Sequence, residues 1–172
     1  MEGTIDSMRV LVCVASKHGA TLGLGHVVAR RLGEHDLQPQ VRLPAAVTDL
    51  DEYHAVVLGS ALYANRMMPT LTAFAHRWGE ALAAMPTYLF NSGPLDLGPV
   101  NDLPLPKDSR DLAARIGARD VQLFAGRLLP NDLRASERAV MRMIGARAGD
   151  FRDFKAVAAW ADAIAQDLAT AL

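Results

Sequence analysis

Short apolar runs recur along this chain, each ending in a turn, and no other feature limits the fold so strongly. Arg9–Ala15 (RVLVCVA), Tyr53–Leu58 (YHAVVL), Thr87–Phe90 (TYLF) and Val121–Phe124 (VQLF) are continuously or almost continuously apolar. They are too short for helices and show no polar alternation, so they read as strands covered on both faces, as parallel strands in α/β proteins are. A fifth run, Gln40–Leu43 (QVRL), alternates and suits a sheet edge. Helical patterns separate these runs: Leu24–Leu32, Pro69–Leu82, Ser109–Ile116, Leu133–Ala146 and Phe154–Leu168. Ser109 is the expected N-cap of the third and Gly117 its stop. Gly23 and Gly25 each cost up to about 1 kcal/mol inside a helix, which predicts a late start for the first. Strands alternating with helices imply right-handed crossovers and a doubly wound α/β sheet.

A chain of 172 residues fits a single domain. The polar start, MEGTIDS, reads as a flexible tail over residues 1–7, leaving 8–170 as the domain. A formal net charge of −1 offers no general attraction to nucleic acid. Cys13 is the sole cysteine, which excludes an internal disulfide, and with no signal peptide in view a reducing cytoplasm is expected. The oligomeric state is not legible. His26, His35, His54 and His76 lack metal-ligand spacing, so no metal site is expected. Cys13 falls mid-strand and reads as a small hydrophobe.

Ligands of open parallel sheets bind beyond the carboxyl ends of the strands. Three strands here end in small polar sequences: SKHGAT (Ser16–Thr21), GSALYANR (Gly59–Arg66) and NSGPLDLG (Asn91–Gly98). All three fall on one rim. The first suits a phosphate, because N–H groups at a helix start lack intrahelical partners and sit at the positive end of the dipole. Ser16 and Thr21 add hydroxyls, and Gly19 permits close backbone approach. The same residues also suit a capped strand-to-helix turn with no ligand.

These three turns, followed in order by FAGRL (Phe124–Leu128), ERAVMRMIGARAGDFRDF (Glu137–Phe154) and AWADAIA (Ala159–Ala165), resemble flavodoxin-fold proteins. The subgroup they resemble most is the one related to menaquinone-dependent protoporphyrinogen oxidase. The resemblance runs from about Val10 to Ala165. It implies a three-layer flavodoxin-like fold with a five-stranded parallel sheet in the order 2-1-3-4-5, binding FMN noncovalently. Carried over by motif, Ser16, Lys17, His18, Gly19, Ala20 and Thr21 would hold the phosphate. Ser60, Ala61, Leu62, Tyr63 and Ala64 would border the isoalloxazine ring on one side, with Ser92, Gly93 and Pro94 on the other. No catalytic side chain is nominated, since a flavin carries its own redox chemistry.

Two departures from the family pattern bear on function. Tyr63 is the only aromatic available to stack on the ring, and YANR places Asn65 where a glycine is more familiar. With no glycine at Ala64–Asn65 a peptide flip there is costly, which favours two-electron chemistry. The segment Gly126–Arg152 holds six arginines against Asp132, Glu137 and Asp150. Arg134, Arg138 and Arg142 recur every fourth residue, as a basic stripe facing an anionic lipid or carboxylated substrate would, and equally as a solvated helix face would. The loop Asn91–Lys107, broken by Pro94, Pro99, Pro104 and Pro106, is long enough to be functional.

The sequence thus predicts an FMN-dependent oxidoreductase exchanging electrons with a small molecule or quinone, cytoplasmic or peripheral at the inner face of a membrane. Two alternatives remain: an electron carrier for partner proteins, and a flavodoxin fold that has lost its flavin.

Overall fold

β1 (Arg9–Ala15) is the centre from which the sheet is built, and five of its seven residues have no solvent exposure. The computed structural model describes residues 7–93, 103–143, 145 and 147–171. After β1 come α1 (Ala20–Gly33), β2 (Gln38–Arg42), β3 (Ala55–Tyr63) and a two-residue β4 (Arg66–Met67). The chain continues through α2 (Pro69–Arg77), α3 (Gly79–Ala83), β5 (Thr87–Gly93), α4 (Lys107–Ile116) and β6 (Asp120–Ala125). It ends with β7 (Arg127–Leu128), α5 (Ala135–Met143), β8 (Gly149–Asp150) and α6 (Phe154–Thr170). The five long strands pair in parallel in the order β2-β1-β3-β5-β6, which is the predicted 2-1-3-4-5 once the short antiparallel β4 is set aside. β7 and β8 form a separate antiparallel pair.

Alternation along the strands sends side chains into two cores. Val10, Val12, Val14, Val57 and Phe90 meet Leu24, Val28 and Leu32 of α1 and Trp160 and Ile164 of α6. Leu11, Cys13, Val56, Leu58 and Leu89 meet Leu71, Phe74, Leu82, Leu112 and Ile116 from α2, α3 and α4. Burial pushes the Cys13 thiol up to about 12, so it stays a neutral packing group.

Several elements differ from the sequence-based expectation. α1 starts at Ala20 and takes Gly23 and Gly25 into its first turns. A Cβ on Gly25 would come within 2.6 Å of Val14 Cγ2, so the glycine sets how closely helix and strand approach. β3 runs on to Tyr63 and β5 to Gly93, because the ladders continue, Ala61 opposite Ser92, Gly93 opposite Ala125 and Tyr63 opposite Arg66; the ring of Phe90 lies over Gly59, where a Cβ would meet it at 2.3 Å. Pro69–Leu82 divides at Trp78, whose φ of −104° and ψ of 14° leave the helical region. Pro106, not Ser109, precedes α4; Ser109 is buried within it and accepts a hydrogen bond from Asn91 Nδ2 at 2.6 Å. Gly117 does end α4, at φ 61°.

The last expected helix before α6, Leu133–Ala146, begins only at Ala135 and is described as far as Met143; the later start breaks the arginine stripe. Arg134 stands before the helix and gives its backbone N–H to Glu137. Arg138 Nη1 donates to the carbonyls of Pro130 and Leu133 at 3.2 and 3.1 Å. Arg142 is exposed. Most of the expected tail, and Pro94 to Asp102 of the expected loop, lie outside the described residues.

Candidate functional site

The carboxyl ends of β1, β3 and β5 frame a cleft, and the turn after β1 forms its floor. Gly19 is the N-cap of α1 in the left-handed region, φ 81°, where an L side chain is strained. Its N–H donates to Ser16 Oγ at 3.0 Å, and its carbonyl accepts the first helical bond from Gly23 N–H at 3.0 Å. The N–H groups of Ala20, Thr21 and Leu22 therefore fall in the first turn, where helix geometry provides no partner. Nothing lies within 4 Å of a Cβ built on Gly19, so the turn opens onto free space. Thr21 is buried at 2% exposure and lines the cleft with Ser16, Lys17, His18 and Ala20.

The second wall is the end of β3. Ala61, Leu62, Tyr63 and Ala64 line the cleft. Ser60 lies below it: its Oγ donates to Ala61 O at 2.9 Å and accepts from Met68 N–H at 2.8 Å, which fixes β4 under the turn. Tyr63 and Arg66 pair across Ala64 and Asn65, with φ 47° and 60°, the two-residue hairpin that needs positive φ at both positions. Asn tolerates this region; Ala does so at a cost of roughly 1–2 kcal/mol. Ala64→Gly is therefore expected to raise stability by about 1 kcal/mol in denaturant unfolding. A loss of stability would show that the turn is not held at positive φ.

Ser92 and Gly93 end β5 on the third side, while Pro94 lies outside the described residues. Gly126 closes the strand, donating its N–H to Gly93 O at 3.1 Å, and a Cβ there would reach Ser92 Oγ at 2.7 Å.

The remaining wall comes from Gly126–Arg152, a segment the sequence assigns to the substrate side without nominating any of its residues for the cofactor. Arg127, Leu128, Leu129, Asp132, Leu133 and Met141 also line the cleft. Two contacts tie this segment to the first turn: Lys17 Nζ to Glu137 Oε1 at 2.6 Å, and Arg127 Nη2 to His18 O at 3.0 Å. The Lys17 ammonium and the Arg134 N–H hold the Glu137 carboxyl below the usual carboxylate range. Lys17 Nζ also lies 5.0 Å from the Tyr63 ring centre, a cation–π distance. Burial, with Glu137 and Asp132 nearby, pushes the Tyr63 phenol up. His18 Nε2 and Arg127 Nε are buried without a hydrogen-bond partner among the described residues. Such atoms are costly to leave unpaired, and here they sit beside the open helix terminus. The arginine excess of Gly126–Arg152 was the signal available for this wall.

An open helix N-terminus, unpartnered polar atoms and a flat apolar wall define a binder of a phosphorylated ring cofactor at the switch point of a doubly wound sheet. Comparison gives the family: residues 11–155 match the flavodoxin domain model, and the chain belongs to that family. The cofactor that follows from this membership is FMN. Among solved structures, a flavodoxin from Streptococcus pneumoniae is 14% identical with TM-score 0.59, the match covering 96% of this chain and all of that one. A cysteine-to-serine mutant of the flavodoxin from Pseudomonas aeruginosa is 13% identical with TM-score 0.57, over 91% and 98% of the two chains. Rubredoxin oxygen:oxidoreductase from Desulfovibrio gigas is 13% identical with TM-score 0.61 over 94% of this chain, which spans only 36% of that protein. A search of curated proteins gave no match.

Proposed function

We propose that this flavodoxin-family chain is an FMN-dependent oxidoreductase resembling quinone-dependent protoporphyrinogen oxidase, exchanging electrons between a small organic donor and a quinone. The observation that supports this most is the wall after β6. Leu128, Leu129, Leu133 and Met141 give one side of the cleft an aliphatic surface, and the Lys17–Glu137 and Arg127–His18 contacts pin it in place. An aliphatic wall excludes water and suits an apolar reactant. Carriers that dock on proteins commonly use a strongly acidic face, whereas on this rim Lys17 and Arg127 are matched by Glu137 and Asp132 in a chain of net charge −1.

When bound, FMN supplies the redox chemistry. The chain's own residues bind and orient it. Ser16 and the N–H groups from Ala20 to Leu22 would hold the phosphate, and Tyr63 with the aliphatic residues of the wall would border the ring. Beyond the wall, Val140 and Met143 are 54% and 85% exposed beside Arg142, and peripheral contact of this end of α5 with an anionic membrane belongs to the same reading. Among the described residues no helix is long and apolar enough to cross a membrane.

The second reading, an electron carrier between proteins, draws support from the flavodoxins whose whole length this chain matches. Anaerobic mixing of the FMN-loaded protein with a reduced, carboxylated tetrapyrrole and a menaquinone analogue separates the two. Turnover that needs both reactants is the expected result. Electron exchange with redox proteins alone, and none with the small molecules, would favour the carrier.

A further inference from the structure

Two guanidinium groups reach the phosphate turn from a part of the chain more than a hundred residues away. Arg127, in β7, donates from Nη2 to the carbonyl of His18 at 3.0 Å. Arg152, just beyond β8, donates from Nη1 to the carbonyl of Ala20 at 3.3 Å. Between those carbonyls lies Gly19, the left-handed N-cap.

Both arginines are placed by the antiparallel β7–β8 pair, Arg127 within β7 and Arg152 two residues after β8. Arg127 and Asp150 are paired across it, and Asp150 holds Arg152 in a fork, Oδ1 to Nε at 2.9 Å and Oδ2 to Nη2 at 2.7 Å. Bidentate pairs of this kind fix the plane of the guanidinium. The Arg152 side chain is only 12% exposed and lies against Gly23, where a Cβ would come within 2.7 Å of Nη1. That contact gives Gly23 a reason to stand inside α1: any side chain there would displace the arginine.

We propose that Arg127 and Arg152 form a clamp that shapes the first turn for the FMN phosphate, an inference that rests on the cofactor reading above. A trans peptide sets its carbonyl and N–H antiparallel. Holding His18 O therefore fixes the direction of the Gly19 N–H, which Ser16 accepts, and holding Ala20 O fixes that of Thr21, which faces the anion. Each cation at the turn has a carboxylate partner, Lys17 with Glu137 at 2.6 Å, Arg127 with Asp132 at 3.7 Å and Arg152 with Asp150 at 2.7 Å, so the clamp acts by fixing the peptides of the turn rather than by adding net charge. Arg127 lines the cleft and retains an unpartnered buried Nε; Arg152 acts through Ala20 and Asp150 and is a positioning residue.

The test compares FMN with riboflavin, which has the same ring and no phosphate. Dissociation constants for both are measured by flavin fluorescence quenching for wild type, Arg127→Gln, Arg152→Gln, Arg152→Lys and Asp150→Asn, with the melting temperature of each apo-protein as the control for folding. FMN affinity is expected to fall about tenfold in each glutamine variant, with riboflavin affinity within about twofold of wild type. Arg152→Lys, which keeps the charge and loses the fork, is expected to fall between. Should Arg152→Gln not fold, Asp150→Asn reports on the same fork and is expected to show the same selective loss. A preference for FMN over riboflavin that is unchanged in the variants would overturn the clamp and leave the cofactor reading standing. Wild type that binds no FMN would overturn both.

Discussion

Ser16→Asp is expected to lower FMN affinity by two to three orders of magnitude while leaving the apo-protein folded. Ser16 Oγ accepts the Gly19 N–H at 3.0 Å, and aspartate accepts equally well in turns of this kind, so the local structure has no cause to collapse. The carboxylate would instead stand at the floor of the cleft, where the phosphate must sit. Two unit charges about 4 Å apart repel by about 4 kcal/mol at the effective dielectric near a protein surface, and a phosphate monoester carries more than one. Even partial screening leaves roughly 3 kcal/mol, or more than a hundredfold. Riboflavin carries no such charge and should bind the variant as it binds wild type. Fluorescence titrations with the two ligands check this, and an equal loss for both would remove Ser16 from the phosphate site.

Phe90→Ala has the largest expected effect on stability, a loss of roughly 3–5 kcal/mol in denaturant unfolding. Phe90 is fully buried at the centre of an aromatic cluster, with ring centres 5.8 Å from Trp160 and 6.1 Å from Phe124. Such pairs add about 0.5–1.5 kcal/mol each to the value of burial. A loss of that size is a third or more of the stability of many domains, which runs from about 5 to 15 kcal/mol. The residue across the ladder depends on the same ring. Gly59 pairs with Phe90, and its missing Cβ leaves the space the ring occupies. Gly59→Ala should therefore cost about 1–3 kcal/mol in the wild type through overpacking. In the Phe90→Ala background the same change should be neutral or favourable, because the ring is gone and alanine suits a strand better than glycine. The double-mutant cycle should show a coupling of about 2 kcal/mol. Additive effects would mean that the ring does not lie over Gly59.

The fold was legible because buried parallel strands announce themselves by unbroken apolar runs, and β1 begins and ends at the residues its pattern marks. The misread positions share one cause. Gly59 and Ser60 look like the start of a turn, yet they continue β3 because Phe90 fills the space above one and Met68 donates to the other. Gly23 and Gly25 look like reasons to delay α1, yet they are where Arg152 and Val14 approach it. In each case a residue serves a neighbour outside its own element, and local propensity carries no trace of that neighbour.

The site divides in the same way. Ser16 to Thr21, Ala61 to Ala64, Ser92 and Gly93 follow from strand ends on one rim and are found together there. The wall from Gly126 to Met141 becomes part of the site only by docking onto the first turn through Lys17 and Arg127. The two-residue β7 and its partner β8 have no periodicity to read, and α5, with no fully buried residue, has no core stripe.

The central claim is that the first turn and its surrounding walls hold FMN. Titration of the apo-protein with FMN, followed by flavin fluorescence, tests it directly. Saturable one-to-one quenching, complete by about 10 μM and far weaker with riboflavin, is the predicted result. No quenching at tens of micromolar FMN, or equal binding of FMN and riboflavin, would contradict it.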